Sequence, residues 1–219
     1  MSDLLYVIRE PAEEPQGALV LNHGRGADEN DLFPLLEELD PARRLLGVTT
    51  GAPLTNIPPG GRHWYIVPRV GYPDTDTFHA SYELLCEGLD ELLVGRGIGW
   101  DRTVIGGFSQ GAVMSYAVAL GPGRPVPAGL LAFSGFIPTV AGWEPELAGR
   151  ERMRVFIHHG SGDPVISVEF ARRAREVLRA GGLEPEYLES EAGHWLPPDA
   201  IAPAKRLLAE AVPAQPEVG

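Results

Sequence analysis

Short apolar runs alternate along this chain with longer stretches of helical periodicity. The runs are rich in Leu, Val, Ile and aromatic residues and are bounded by Gly, Pro or polar residues, which is typical of buried strands. They predict strands at residues 4–8, 18–21, 45–49, 103–105, 129–133, 155–157 and 184–188.

Apolar residues at helical spacing fill most of the intervals between these runs. Helices are predicted from Asn30 or Asp31 onward and at residues 77–95, 112–119, 167–180 and 199–212. Either Asn30 or Asp31 can cap the first helix, with Pro34 in its first turn, whereas Pro203 breaks the last helix early. Strands that alternate with helices predict an α/β fold, in which a mostly parallel central sheet carries helices on both faces.

Nothing in the chain suggests a repeat or an internal linker. We therefore expect a single domain over residues 1–219, with a solvated tail at about 213–219 outside the core. The interval from Ser134 to Arg152 leaves room for a short excursion but for no large cap domain.

The connection from Gly51 to Asp76 is long and rich in proline and glycine. It carries Trp64, Tyr65 and Ile66, whose apolar side chains need a surface to cover. A connection of this length inside a compact domain is often functional.

The composition argues against several binding partners and excludes several catalytic mechanisms. The chain has a net charge of −12, which argues against nucleic acid as a partner and against strong attraction to an anionic membrane. Lys205 is its only lysine and lies outside any lysine motif, so Schiff-base and phosphate-loop mechanisms are excluded. Cys86 is its only cysteine, which excludes an intrachain disulfide and a thiolate metal cluster, and we interpret it as a core residue.

The segment from Met1 to Leu4 is acidic and does not lead into a long apolar run. No stretch approaches the roughly 18 consecutive apolar residues of a membrane-spanning helix. We therefore expect a cytoplasmic location and no stable membrane insertion.

Residues 102–119 carry the most informative motif. A β-branched run leads through Gly107-Phe108-Ser109-Gln110-Gly111 into an apolar helix. A strand, a Gly-x-Ser-x-Gly turn and a helix form the nucleophile elbow, in which the serine sits at the tip of a strained turn. The pentapeptide alone is a weak signal in a glycine-rich chain, but this context strengthens it.

A nucleophilic serine requires a base, and the base requires an orienting acid. In this class the chain order is nucleophile, acid, histidine. Asp163 follows the predicted strand at 155–157, and His194 follows the last predicted strand. We therefore predict Ser109, Asp163 and His194 as a catalytic triad, with His158 and His159 supporting the loop of the acid.

The second part of such a site is an oxyanion hole. We expect the backbone N–H groups of Gln110, at the start of a helix, and of Arg25, after an early strand, to form it. Arg25 lies in His23-Gly24-Arg25-Gly26, where His23 is interpreted as a structural residue that ties the loop down.

These segments resemble the phospholipase/carboxylesterase family of α/β-hydrolases, which includes bacterial carboxylesterases and eukaryotic acyl-protein thioesterases. The resemblance extends from about Ala18 to Leu208. The matching segments are 23–26, Gly51-Ala52-Pro53, Trp64-Tyr65, 107–111, Asp163-Pro164-Val165 and Gly193-His194.

The resemblance implies a minimal α/β-hydrolase fold without a large cap. It also implies cleavage of carboxylic esters or thioesters without a metal or organic cofactor, and the same triad and oxyanion amides. One residue departs from the pattern, because Ile66 stands where the family often has Asp. This departure bears on the conformation and substrate contacts of the loop at 51–76.

The predicted function is therefore that of a serine hydrolase acting on a small-molecule ester or thioester. Trp64, Phe136, Val165 and Trp195 lie near predicted strand ends and are candidates for an apolar acyl site. The sequence leaves open whether the enzyme is a carboxylesterase, a lysophospholipase or an acyl-thioesterase, which acyl chain it prefers, and whether it forms a homodimer.

Three alternatives differ in class. A non-catalytic binding module of the same fold would be expected to have lost a triad member. A dienelactone-hydrolase-like enzyme would normally carry cysteine in place of Ser109. A peptidase of related fold usually has additional domains.

Overall fold

The computed structural model describes residues 2–214, and its central element is a seven-stranded sheet. The strands are β1 (Leu5–Arg9), β2 (Ala18–Asn22), β3 (Leu46–Gly51), β4 (Thr103–Phe108), β5 (Gly129–Phe133), β6 (Arg154–Gly160) and β7 (Glu186–Ser190). Their order across the sheet is β1-β3-β2-β4-β5-β6-β7. Only β1 is antiparallel to its neighbour within this sheet, which confirms the mostly parallel arrangement.

Five α-helices connect the strands. They are α1 (Phe33–Leu39), α2 (Thr75–Gly95), α3 (Gln110–Leu120), α4 (Glu169–Ala180) and α5 (Ile201–Ala211), and short 3₁₀ turns precede β4 and α5. All seven predicted strands and all five predicted helices are present.

The sheet is covered on both faces because its strands present apolar residues alternately to each side. In β2, Leu19 and Leu21 pack with α1 and α5, whereas Ala18 and Val20 pack with α2, α3 and α4. The prediction of helices on both faces is therefore confirmed. Every residue of α3 is buried, which explains why its sequence has no polar face.

Two predicted details of the helices are wrong. The residue before α1 is Leu32, which makes no side-chain cap, so neither Asn30 nor Asp31 caps this helix. Pro203 is the third residue of α5 and does not break it, because N–H groups in the first turn have no intrahelical acceptor in any case. Pro34 lies in the first turn of α1 as predicted.

Parallel strands bring the loops that follow them to one edge of the sheet. The loops after β2, β4, β5, β6 and β7 meet there, beside the connection from β3 to α2 at residues 52–74. Residues 134–153 contain no helix or strand longer than an isolated bridge, in agreement with the prediction that there is no large cap.

Within residues 2–214 no helix is both long and apolar enough to span a bilayer. The predicted tail lies mostly at 215–219, outside the described residues. Cys86 is buried in the core, and burial raises the pKa of its thiol to about 11.

Candidate active site

Ser109 occupies the turn between β4 and α3 with a backbone φ of +54°, which an L-residue rarely adopts. The turn is sharp enough that a Cβ on Gly107 would lie 2.5 Å from the carbonyl oxygen of Asn22, and a Cβ on Gly111 would come closer still. Glycine is therefore required on both sides of Ser109. The backbone N–H of Ser109 donates to the carbonyl oxygen of Phe133 (2.9 Å), which fixes the turn against β5.

The structure brings Ser109, His194 and Asp163 together from three separate loops. The Nε2 atom of His194 lies 2.9 Å from Oγ of Ser109, and its Nδ1 atom lies 2.6 Å from Oδ2 of Asp163. A carboxylate only accepts hydrogen bonds, so Nδ1 of His194 carries the proton and donates it to Asp163. In the neutral ring, Nε2 is then free to accept a hydrogen bond from the hydroxyl of Ser109.

The carboxylate of Asp163 is fully buried and satisfied. Its Oδ1 atom accepts from the backbone N–H groups of Val165 (2.8 Å) and Ile166 (2.9 Å). Burial raises the pKa of this carboxyl, but the hydrogen bonds from His194, Ile166 and Val165 outweigh it and hold the pKa below its usual value. The group is therefore charged at neutral pH.

His159 supports the loop of Asp163, as the sequence indicates. Its Nε2–H donates to the carbonyl oxygen of Ile166 (2.8 Å) and lies 3.3 Å from Oδ2 of Asp163. Its neighbour His158 is buried in β6 and bonds through Nε2 to the hydroxyl of Ser190 (2.9 Å). Burial lowers the pKa of both imidazoles, which are therefore neutral at pH 7.

Two backbone N–H groups at this edge of the sheet are available to an oxyanion. That of Gln110 is the first of α3 and has no intrahelical acceptor. That of Arg25 makes no hydrogen bond to any described residue, although the next two amides of its loop are bonded.

His23 holds this loop in the structural role predicted for it. Its Nε2 atom accepts from the N–H of Ala52 (3.0 Å), so Nδ1 carries the proton and donates to the carbonyl oxygen of Gly24 (2.6 Å). Burial lowers the pKa of His23 and keeps the ring neutral, which preserves both bonds.

Trp64 does not have the predicted contact with substrate. Its side chain is fully buried, and its indole N–H donates to the carbonyl oxygen of His23 (2.9 Å). The ring packs against His23 with centroids 5.4 Å apart. Trp64 therefore supports the Arg25 loop through its contacts with His23.

Gln110 has a second role that sequence reasoning missed. Its side-chain Oε1 accepts from the N–H of Trp64 (3.0 Å), and its Nε2 donates to the carbonyl oxygen of Tyr65 (2.9 Å). This buried amide clamps the 52–74 connection onto α3. The only indication of this role in the sequence is the presence of glutamine inside the elbow, and the sequence does not show which residues the side chain binds.

A cavity of about 320 Å³ opens beside Ser109 and His194. Of the predicted acyl-site residues, Phe136 and Val165 line it. Trp195 is not among the described lining residues and is 57% exposed next to His194, so the structure does not place it in the cavity.

Part of the 52–74 connection forms one wall of this cavity. Tyr65, Val67 and residues 69–73 line the cavity, whereas Ile66 points away from it and is 45% exposed. The Ile66 N–H donates to Oγ1 of Thr77 (3.1 Å) and its carbonyl accepts from the N–H of Asp74 (3.0 Å). The departure from the family pattern at Ile66 thus lies outside the cavity.

No group of three or more His, Cys, Asp or Glu side chains in residues 2–214 is arranged to hold a metal ion.

Comparison with known proteins yields one family and one fold. Residues 5–209 match the family described as phospholipase/carboxylesterase. Acyl-protein thioesterase 1 of Debaryomyces hansenii is 28% identical over 202 residues, covering 84% of this chain and 86% of that protein. The putative hydrolase MhqD of Bacillus subtilis is 29% identical over 195 residues, covering 89% and 93%. The crystal structure of a Bacillus cereus carboxylesterase superposes with a TM-score of 0.83 at 22% identity, covering 95% of each chain.

Proposed function

The chain belongs to the phospholipase/carboxylesterase family, and from this membership and the geometry of its cleft we propose that it is a serine hydrolase of carboxylic esters and thioesters. The observation that carries the proposal is the continuous series of hydrogen bonds from Ser109 through His194 to Asp163. That series supplies a nucleophile, a base and an orienting acid within direct reach of one another.

In the first step, Oγ of Ser109 attacks the carbonyl carbon while Nε2 of His194 accepts the hydroxyl proton. The imidazolium that forms is stabilised by Asp163, whose buried carboxylate also holds the ring in the required tautomer. The elbow aims the hydroxyl at the cavity, so little reorganisation precedes the attack.

The negative charge that develops on the carbonyl oxygen is stabilised by the N–H groups of Arg25 and Gln110. Each such donor contributes about 3 kcal/mol to transition-state stabilisation in related chemistry. The His23 and Trp64 hydrogen bonds hold the first amide, and the start of α3 holds the second.

His194 then transfers its proton to the departing alcohol or thiol, which leaves Ser109 acylated. A water molecule, deprotonated by the same histidine, attacks the acyl-enzyme and releases the carboxylic acid. At the end of this step the proton is back on Ser109, and the free enzyme is restored. No metal or organic cofactor takes part in this scheme.

The test is the Ser109→Ala variant, assayed with nitrophenyl esters and labelled with a fluorophosphonate. We expect turnover to fall by roughly four to six orders of magnitude and labelling to disappear. Ser134→Ala is the matched control, because Ser134 is also buried at positive φ (+52°) and follows the neighbouring strand β5. Retained turnover in Ser109→Ala would refute the assignment, and a wild-type protein that neither turns over ester nor reacts with the probe would favour a binding module.

The choice among carboxylesterase, lysophospholipase and acyl-thioesterase is open to direct measurement. Turnover of nitrophenyl esters from two to sixteen carbons, beside an acyl-thioester, separates these activities. The single-domain organisation, the cytoplasmic location and the state of oligomerisation stay predictions.

A further inference from the structure

Two arginine side chains, Arg25 and Arg69, line the cavity of a protein whose net charge is −12. Neither lies within ion-pairing distance of a carboxylate in the part of the chain that the structure describes. Nine other arginines do form such pairs, at positions 9, 62, 96, 124, 150, 154, 172, 179 and 206. Arg25 and Arg69 are both exposed, and six further arginines of the described residues also lack such a pair, at positions 43, 44, 102, 152, 173 and 175. What distinguishes Arg25 and Arg69 from these six is that both line the cavity beside Ser109.

Arg69 is held in place by the structure around it. Its guanidinium stacks on the ring of Tyr72 at 3.6 Å, and its carbonyl oxygen accepts from the N–H of Tyr72 (3.0 Å). The turn between them fits against α4, since a Cβ on Gly71 would lie 2.5 Å from Cζ of Phe170. The guanidinium is therefore oriented before any ligand binds, which reduces the entropy lost on binding.

Arg25 lines the same cavity, on the loop whose N–H group faces the reacting carbonyl in the proposed mechanism. One of its donors bonds to the carbonyl oxygen of Pro58 (3.0 Å), and the remaining donors are free to bind an anion. Asp31 is the one carboxylate among the described lining residues, and it forms an ion pair with neither arginine. The cavity wall thus carries two positive charges against one negative charge.

We propose that Arg69 and Arg25 form an anion subsite, and that the preferred substrate is an ester or thioester bearing a carboxylate or phosphate apart from the scissile carbonyl. This inference rests on the proposed hydrolase activity. Guanidinium groups bind both anions through paired hydrogen bonds, so the two share one recognition chemistry. The carboxylate would belong to the acyl group of a dicarboxylic acid half-ester, and the phosphate to a phosphorylated alcohol.

Two matched pairs of substrates separate these sources. The first pair is the nitrophenyl monoester of adipic acid and nitrophenyl hexanoate, which differ only in the terminal group of the acyl chain. The second is a monoacylglycerol phosphate and the monoacylglycerol with the same chain. For each pair, the quantity measured is the ratio of kcat/KM for the anionic substrate to kcat/KM for the neutral one.

In Arg69→Gln we expect this ratio to fall at least about tenfold for one of the pairs, chiefly through KM, because a charge-assisted hydrogen bond is lost. Arg152→Gln removes the same charge from an exposed site just before β6, at the opposite edge of the sheet, and should change the ratio less than about twofold. In the wild-type enzyme, raising the salt concentration should lower the ratio for the same pair, because ions screen the attraction.

The pair that responds identifies the anion as carboxylate or phosphate. An unchanged ratio for both pairs in Arg69→Gln, or an equal fall in Arg152→Gln, would overturn the subsite. Hydrolysis of the neutral esters that depends on Ser109 would then still support the proposed function. Absence of any Ser109-dependent hydrolysis would instead overturn the proposed function itself.

Discussion

At the scale of single residues, Gln110 connects the nucleophile to the cavity wall. Gln110 lines the cavity beside Ser109, while its side-chain amide binds Trp64 and Tyr65 in the 52–74 connection. Trp64 in turn bonds to His23, which holds the Arg25 loop. One buried amide therefore links the nucleophile elbow, the cavity wall and the loop that carries Arg25.

The first prediction concerns this amide. Gln110→Met keeps the length of the side chain but leaves the N–H of Trp64 and the carbonyl of Tyr65 without partners, and both groups are buried. Each unsatisfied group costs about 1–3 kcal/mol, so we expect the free energy of unfolding in urea to fall by about 2 kcal/mol or more. We also expect kcat/KM for a neutral ester to fall, because the cavity wall loses its attachment to α3.

Gln16→Met is the matched control for that experiment. Gln16 accepts one hydrogen bond from Arg44 near the surface, so its replacement should change stability by less than about 0.5 kcal/mol. Wild-type stability in Gln110→Met would show that the two hydrogen bonds contribute nothing net.

At this scale the sequence indicates which residues are candidates for catalysis better than it indicates which residues contact one another. The elbow pattern points to Ser109, and the chain order together with positions after predicted strands points to Asp163 and His194. The partners of Gln110 lie 45 and 46 positions away in a loop without a regular pattern, and no local signal points to them. The prediction that Trp64 contacts substrate fails for the same reason, because the sequence of a long loop does not show whether an aromatic residue lines a cavity or packs beneath it.

At the scale of elements, β6 is longer than the apolar pattern of the sequence predicts. The pattern predicts a strand at 155–157, but the strand continues through His158 and His159 to Gly160. Both imidazoles are fully buried. Burial lowers the pKa of His158 to about 4, mainly by removing water from the ring, with a smaller opposing effect from Asp199. His158 and His159 are polar in sequence and therefore end the predicted strand, but as neutral, buried residues they continue β6 in the structure.

The second prediction follows from this burial. The pKa of His158 is near 4 in the folded protein and about 6.5 in the unfolded chain, so protons bind preferentially to the unfolded state as pH falls through this window. The contribution of His158 to stability does not change with pH above about pH 7, and between pH 7.5 and 5 this residue alone should remove about 2 kcal/mol. His159 and His23 act in the same direction.

Urea unfolding at the two pH values, in wild type and in His158→Asn, measures this contribution. The variant should lose less stability than wild type on acidification, by about 2 kcal/mol. The lowered pKa of Asp163 does not confuse the comparison, because its contribution to stability is lost only below about pH 4. Equal losses in both proteins would mean that the buried ring is not the proton-binding group.

At the scale of the whole molecule, parallel topology explains why distant motifs meet. If the predicted strands are parallel, the loops that follow them must share one edge of the sheet. The structure has this arrangement, so the fold and the relative positions of the main loops were predictable from patterning. The shape of the cavity was not, because its wall depends on an irregular connection that is fixed by side-chain hydrogen bonds.

That shape includes a second cavity next to the first. It has a volume of about 740 Å³ and is lined by residues 136–141, residues 143–145 and part of α4. Gly71, Tyr72 and Phe136 line both cavities and so form the partition between them. Phe136 is nearly buried and packs on Phe170 with centroids 5.1 Å apart. In the proposed mechanism, the bulk of its ring would therefore limit how far an acyl chain extends from Ser109.

The third prediction tests this partition with Phe136→Leu. A smaller side chain should let a longer acyl chain reach the second cavity, and each methylene that leaves water contributes about 0.8 kcal/mol. Two further buried methylenes would raise kcat/KM for a long nitrophenyl ester relative to the butyrate by roughly tenfold. Phe156→Leu is the control, because Phe156 is buried on the opposite face of the sheet and lines neither cavity. A chain-length profile that shifts equally in both variants, or in neither, would show that Phe136 does not separate the two cavities during catalysis.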